Sequence, residues 1–265
     1  MHDINKLYYK FKNISNYSNI KHFISSRNNG VSKGNYRSLN LSLKSNDLNH
    51  NVLKNRKILF NSLDISIDDT VYTEQLHSGN VVEVDYTDRG RGAYNLNNLI
   101  PNADSLITNK PNICLVILLA DCAPLLFFDP VNNVIGVAHA GRLGTSKKIS
   151  MNTVNAMVST FNCRPKNIIV GIGPCISAFN YKIGKNDWLT LKSELQSNTK
   201  SLLVKNNLYY FDLLVANKEQ LLETNILEEN IEFANICTYI QNDIFFSERY
   251  CCPTGRFAAG MMISQ

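Results

Sequence analysis

At 265 residues, 44% of them hydrophobic and 18% charged, the chain can bury one large core, and no linker-like stretch divides it. Its net charge of +5 is spread over Lys and Arg scattered among Asn-rich stretches. That bias would suit an anionic substrate such as phosphate, although an ordinary solvated surface explains it better, and it lacks the charge runs of a nucleic-acid groove. The seven cysteines are odd in number and include the adjacent Cys251 and Cys252, which excludes a disulfide framework and points to reduced thiols in the cytoplasm.

The chain opens MHDINKLYYKFKN, without the apolar core of a signal peptide, and residues 1–19 read as a strand or a loosely held terminus. Asp47 is placed to cap a helix running to about Leu63, since Leu48, Val52, Leu59 and Phe60 share a face. Strands at 71–76 and 81–85 flank the turn Ser78-Gly79-Asn80, which predicts a hairpin. Residues 87–102, rich in Gly and Asn, read as a long loop and a candidate lid. The apolar runs 113–119, 125–128 and 134–137 are strands; the longest, ending at Ala120, is too short to cross a bilayer. A helix starts near Thr145 or Ser146, with Ile149, Thr153, Ala156, Met157, Thr160 and Phe161 along one side. A strand at 167–172, helices at 185–196 and 212–224, and strands at 231–236, 243–246 and 256–263 complete the chain. Strands and helices mix without strict βαβ alternation, so the fold class is α+β with mixed sheets.

Three segments carry chemistry: Gln75-Leu76-His77, Asp121-Cys122-Ala123-Pro124 and Ala138-His139-Ala140-Gly141. Each lies where a strand-like run breaks off, the place where α/β proteins collect reactive groups. Two imidazoles and a thiol are three ligands for a tetrahedral zinc with one open position. The ligands are 45 and 17 residues apart, unlike the close pairs of small structural zinc modules. Other readings of the same residues stand beside this one. Cys122 and His139 make the nucleophile–base pair of a metal-independent cysteine hydrolase or amidase, with His77 orienting. A non-enzymatic protein would use zinc as a staple. A copper oxidase fits less well, because the five methionines (1, 151, 157, 261 and 262) lie away from the ligand segments and five histidines are too few for several coppers. A Cys after an apolar strand is also commonly a buried packing residue, as Cys175 is read to be. Gly141-Arg142-Leu143-Gly144-Thr145 joins a strand to a helix, where free N–H groups favour an anion, although a tight glycine turn has the same sequence. Asp121, next to Cys122, is either a proton-handling or ligand-orienting group or a turn cap.

The words around these residues are GNYRSLNLS (34–42), NR (55–56), TEQLHSGNVVEVD (73–85), ADSLITN (103–109), LLADCAPLLFFD (118–129), GVAHAGRLGT (136–145), VGIGPCIS (170–177), CTY (237–239), FFSER (245–249) and TGRFAAGM (254–261). In this order, from about residue 25 to the end, they resemble the YfiH-like family, laccase-domain or polyphenol-oxidase-type proteins reinterpreted as purine nucleoside phosphorylases. The resemblance implies one domain over residues 1–265, built as an α/β/β/α sandwich of two sheets between helices. It implies zinc, rather than copper, on His77, Cys122 and His139. Adenosine, inosine and methylthioadenosine would be cleaved with phosphate, with accompanying adenosine deamination, by a monomer or homodimer that binds neither nucleic acid nor membrane. Asp121 and Arg249 are then the candidate catalytic residues, and Asn40, Arg142, Gly144 and Thr145 the substrate-binding ones. One departure stands out. Where the family has a Trp followed by a basic residue, this chain has Arg142-Leu143, so the indole is gone and the charge has moved by one position.

Overall fold

Strands apolar at every position must be covered on both faces, and the two central strands here are of that kind. A computed structural model describes residues 6–195 and 199–264. In chain order its strands are β1 (Tyr8–Tyr9), β2 (Ile20–Ser25), β3 (Thr70–Tyr72), β4 (Val81–Glu83), β5 (Ser105–Thr108), β6 (Cys114–Leu119), β7 (Ala123–Asp129), β8 (Val134–Ala140), β9 (Ile169–Ile172), β10 (Lys182–Ile183), β11 (Leu202–Lys205), β12 (Leu208–Phe211), β13 (Ile231–Phe233) and β14 (Phe257–Ile263). The helices are α1 (Lys12–Ser15), α2 (Asn49–Ser62), α3 (Arg142–Ser146), α4 (Ile149–Phe161), α5 (Lys185–Leu195) and α6 (Leu213–Glu223).

Two mixed sheets result, ordered β1-β2-β14-β6-β3 and β13-β9-β7-β8-β5-β4, with a small third sheet β10-β12-β11. Leu115, Ile117 and Leu119 of β6 and Met261 of β14 meet Leu126, Phe128, Ile135 and Val137 of β7 and β8 in a buried layer between the large sheets. Alternate residues point the other way. Cys114, Val116 and Met262 pack with Leu59 and Phe60 of α2, and Leu125, Phe127 and Val170 pack with Val154 and Met157 of α4 and Leu221 of α6. This is the expected α/β/β/α sandwich. The chain leaves one sheet at the end of β6 and enters the other at β7 through only Ala120, Asp121 and Cys122, and that corner positions the site. No helix among the described residues is long and apolar enough to cross a membrane.

Several elements differ from their sequence reading. The 71–76 and 81–85 strands form no hairpin: β3 pairs parallel with β6, and β4 pairs parallel with β5 in the other sheet. The cause is local. Gln75 uses its amide to donate to Leu118 O (2.7 Å) and accept from Leu118 N–H (2.9 Å), so the chain stays on β6 before crossing over. The helix near residue 145 is two helices, broken where Lys148 adopts φ 61°. Asp47 stands one residue before the cap position Leu48 and accepts from Leu48 N–H, the Ser32 hydroxyl and the Asn40 amide. The 243–246 run is not a strand but irregular chain, exposed at Asp243 and buried at Ile244, Phe245 and Phe246. The 87–102 loop is braced by Arg91, which donates to Asn98 O and Leu99 O and pairs with Asp88. From residue 6 on, the N-terminal segment supplies β1 and α1; residues 1–5 and 196, part of two predicted segments, lie outside the described residues.

His22 on β2 is 1% exposed and accepts the Phe11 N–H at Nε2 (2.9 Å). Burial outweighs the opposing backbone hydrogen bond to Phe11 and, with a smaller push from Lys10, lowers its pKa to about 4. The unfolded ring titrates near 6.5, so it takes up its proton before the folded ring does, and stability falls as pH drops from about 6.5 toward 4. Between pH 7 and 5 this histidine should cost about 2 kcal/mol. Urea titrations at the two pH values should show a pH dependence that His22→Leu reduces by about that amount, the remainder belonging to other groups such as His77; an equal pH dependence in the variant would place the titrating group elsewhere.

Candidate metal centre

His77 lies on the segment that crosses from β3 to β4. Gln75 and His77 both hold positive φ, 48° and 54°, a conformation that non-glycine residues keep only when surroundings enforce it. Asp104, fully buried just before β5, enforces it. One carboxylate oxygen accepts from Leu76 N–H (3.1 Å), Ser78 N–H (2.6 Å) and the Ser78 hydroxyl (2.7 Å). The other accepts from His77 N–H (3.0 Å) and contacts His139 Nδ1 at 2.9 Å. Burial would push this carboxyl up, but the His139 and Ser78 hydrogen bonds and the His139 charge bring it down to about 2. It is an anion at neutral pH.

His139 is set near the end of β8, with its own N–H donated to Asp104 O (2.8 Å). Because Asp104 occupies Nδ1, Nε2 is left for a ligand, the arrangement that orients metal-binding imidazoles. Cys122 sits in the corner between the large sheets. Beside it, Asp121 (φ 85°) accepts the Thr238 hydroxyl (2.6 Å) and Arg249 N–H (2.7 Å) on its carboxylate, and Ile176 N–H (2.9 Å) on its carbonyl. Three loops are therefore tied at the residue preceding the thiol.

The ligand atoms of His77, Cys122 and His139 all lie within 4.8 Å of one another, the one group of three or more such residues among those described. Bonds of about 2.0–2.3 Å to a common ion need only a slight closing of that spread. Gly141 keeps the space between them clear: a Cβ there would stand 2.7 Å from both Cys122 Sγ and His77 Nδ1. Its φ is −84°, which any residue adopts, so the requirement is for space. The electrostatics agree. Burial and the neighbouring His139 lower His77 to about 4, so it is a neutral imidazole. Burial would lower His139 as well, yet Cys122 and Asp104 outweigh it and raise His139 to about 9. The pocket thus favours a positive charge against the sulfur, and the residues fit a divalent cation with soft and imidazole ligands.

A cleft of about 630 Å³ opens over these three residues. Asp121, Arg249, Tyr181 and Leu213 line it, together with Leu96 and Leu99 from the 87–102 loop. Arg249 lies over the Tyr181 ring, 5.2 Å from its centroid, and donates to Lys182 O. Burial raises the Tyr181 phenol to about 12, so its hydroxyl remains a donor. Four of the expected site residues are not brought to the cleft. Asn40 is fully buried, its amide donating to Ser45 and Asp47 and accepting from Ser42 and Arg256 N–H. Gly144 backs onto the carbonyls of His139 and Ser78. Thr145 faces α6, where Asn217 and Gln220 donate to it, and Arg142 is paired with Asp187 of α5. Sequence reasoning left out Asp104 and Tyr181; Asp104 does lie in ADSLITN, one of the segments carrying the resemblance.

The family described as multi-copper polyphenol oxidoreductase laccase matches residues 21–264, and the chain belongs to it. A purine nucleoside phosphorylase of Bacteroides thetaiotaomicron is 30% identical over 96% of this chain and 95% of its own. The purine nucleoside phosphorylase YlmD of Bacillus subtilis is 31% identical over 84% and 81%. Among solved structures, YfiH of Bacillus licheniformis superposes with a TM-score of 0.89 at 29% identity, covering 92% of this chain and 93% of that one. YlmD of Geobacillus stearothermophilus does so with 0.89 at 28%, covering 94% and 93%. The chain is a YfiH-like protein.

Proposed function

We propose that this protein is a zinc-dependent purine nucleoside phosphorylase, cleaving adenosine, inosine and methylthioadenosine with phosphate and also deaminating adenosine. On this reading residues 1–265 act as one cytoplasmic domain, monomeric or homodimeric. The observation that carries it is the convergence of His77, Cys122 and His139 beneath an open cleft, in a chain whose relatives bear the phosphorylase name. Zinc is preferred to copper despite the family's description. Among the described residues no methionine lines the cleft, and no second group of three or more His, Cys, Asp or Glu ligands exists for further coppers.

His77, Cys122 and His139 would hold the zinc, which supplies Lewis acidity at the floor of the cleft. Asp104 fixes the tautomer of His139 and the backbone of His77. Asp121 holds the Cys122 corner and the Arg249 backbone, and is the carboxylate nearest the thiol in sequence. The Arg249 guanidinium is the cation offered to phosphate, and the Tyr181 hydroxyl, protonated at neutral pH, is a donor to nucleoside oxygens or ring nitrogens. Asn40, Gly144 and Thr145 serve the substrate indirectly, by fixing the loops behind the site, and Arg142 stands at its rim.

With adenosine, inosine or methylthioadenosine plus phosphate, the zinc-loaded protein should release free base and a pentose 1-phosphate, and form inosine from adenosine. Product chromatography checks this; no base from any purine nucleoside, with zinc verified in place, rejects the assignment. The contact chain Asp104–His139–Cys122 also supports the cysteine-hydrolase reading, with Asp104 in the orienting place. Iodoacetamide separates the two. Zinc-bound Cys122 should be protected until a chelator strips the metal, with activity falling alongside. Alkylation of Cys122 in the metal-loaded, active protein would favour the hydrolase.

A further inference from the structure

Away from the metal centre, two cysteines from different loops are held in register with each other. Cys175, in the loop after β9, and Cys237, after β13, form an isolated parallel bridge: Cys175 N–H donates to Ile236 O and Thr238 N–H donates to Cys175 O. Residues in register on paired strands project to the same side. Paired strands lie about 4.8 Å apart, inside the roughly 4.4–6.8 Å Cα separation that a disulfide requires. The two thiols differ in surroundings. Cys175 is 1% exposed; Cys237 is half-buried. Ser177 N–H (3.3 Å) and the Asn180 amide (3.6 Å) both donate to the Cys237 sulfur.

We propose that Cys237 is a hydroperoxide-reactive thiol and Cys175 its resolving partner. The Cys237 thiolate attacks the distal peroxide oxygen, breaking the O–O bond. It becomes a sulfenic acid, and hydroxide or alkoxide leaves and takes up a proton. The Cys175 thiol then attacks that sulfur; the S–S bond forms, and the sulfenic oxygen departs with the thiol proton as water. The hydroperoxide is the oxidant, reduced by two electrons while the two thiols become one disulfide. Two further features favour this division of roles. Donors from Ser177, Tyr239 and Ile240 hold the Cys237 thiol below its ordinary pKa against its own burial, and burial keeps Cys175 well above it. The pair also borders the metal centre through Asp121, whose carbonyl takes the Ile176 N–H and whose carboxylate takes the Thr238 hydroxyl. A cross-link would therefore join the two loops that hold the residue beside Cys122.

The test uses the full chain supplemented with zinc and treated with equimolar hydrogen peroxide, then unfolded, alkylated and mapped by mass spectrometry. The expected result is a peptide pair joined through Cys175 and Cys237 that thiol reductant separates. In Cys175→Ser, dimedone should trap a sulfenic acid on Cys237 several-fold more than in the parent chain. The wild-type map stands whether or not that variant folds. The proposal is overturned if Cys175 and Cys237 both remain alkylatable while the exposed Cys252 is oxidised. It is also overturned if dimedone labels Cys237 equally with and without Cys175.

Discussion

Gly141→Ala is expected to empty the metal centre while leaving the fold in place. The added methyl carbon would lie 2.7 Å from Cys122 Sγ and from His77 Nδ1 and 3.0 Å from His77 Cε1, well inside van der Waals contact. Those two side chains would have to part, in the volume where an ion must touch both. The backbone raises no objection, since φ is −84° and ψ −177°, and alanine loses less chain entropy than glycine on folding. Zinc content should fall from about one ion per chain to near zero, with activity reduced about 10–100-fold or more, since even loss of the groups that support metal ligands costs that much. Thermal melting of the chelated proteins should be nearly unchanged. Cys122→Ala should reproduce the metal loss by removing the ligand instead. Retention of a full equivalent of zinc in Gly141→Ala would mean that His77 and Cys122 do not share an ion.

That pair of variants also shows what sequence could convey. The three ligands are legible because each lies at or shortly after the end of a largely apolar strand-like run, and strand ends are local features. Asp104 was not, because what distinguishes it is a set of partners 26 to 35 residues away. The same residue explains the false hairpin. Ser78-Gly79-Asn80 has turn composition, but the segment is gathered by Asp104 and so passes between sheets. Strand β5 has no sequence signature because Ser105 and Thr108 are buried polar residues, satisfied by the Thr153 hydroxyl and by Val84 O, and nothing in SLIT alternates. The anion-binding reading of 141–145 had the right strand-to-helix junction, but α3 is only five residues long, and its turn points Gly144 and Thr145 away from the cleft. Arg142 finds Asp187, 45 residues further on, a pairing no local pattern announces.

Asp104→Asn tests the remaining link, from the carboxylate to the metal. Its two oxygens receive four hydrogen bonds from Leu76, His77 and Ser78 and one contact from His139. Asparagine preserves shape and one acceptor, but turns an NH₂ toward donors that expect an oxygen. If the retained oxygen faces the loop, the NH₂ faces His139 Nδ1, and the imidazole loses both its orientation and the anion that strengthens its other nitrogen as a ligand. If it faces His139, it still accepts the His77 N–H, but the Leu76 and Ser78 N–H groups and the Ser78 hydroxyl are left opposed, at about 1–3 kcal/mol for each buried donor left unsatisfied, so the loop on either side of His77 loses its anchors. Either way zinc affinity should fall about 10–100-fold, measured by competition with a chromophoric chelator. Asp104→Ala should lose more stability, because every partner is abandoned at once. A structural role alone would lower melting temperature without moving affinity once the variant is folded. Wild-type zinc affinity in a folded Asp104→Asn would therefore remove Asp104 from the metal centre and leave it as the clasp of the crossing loop.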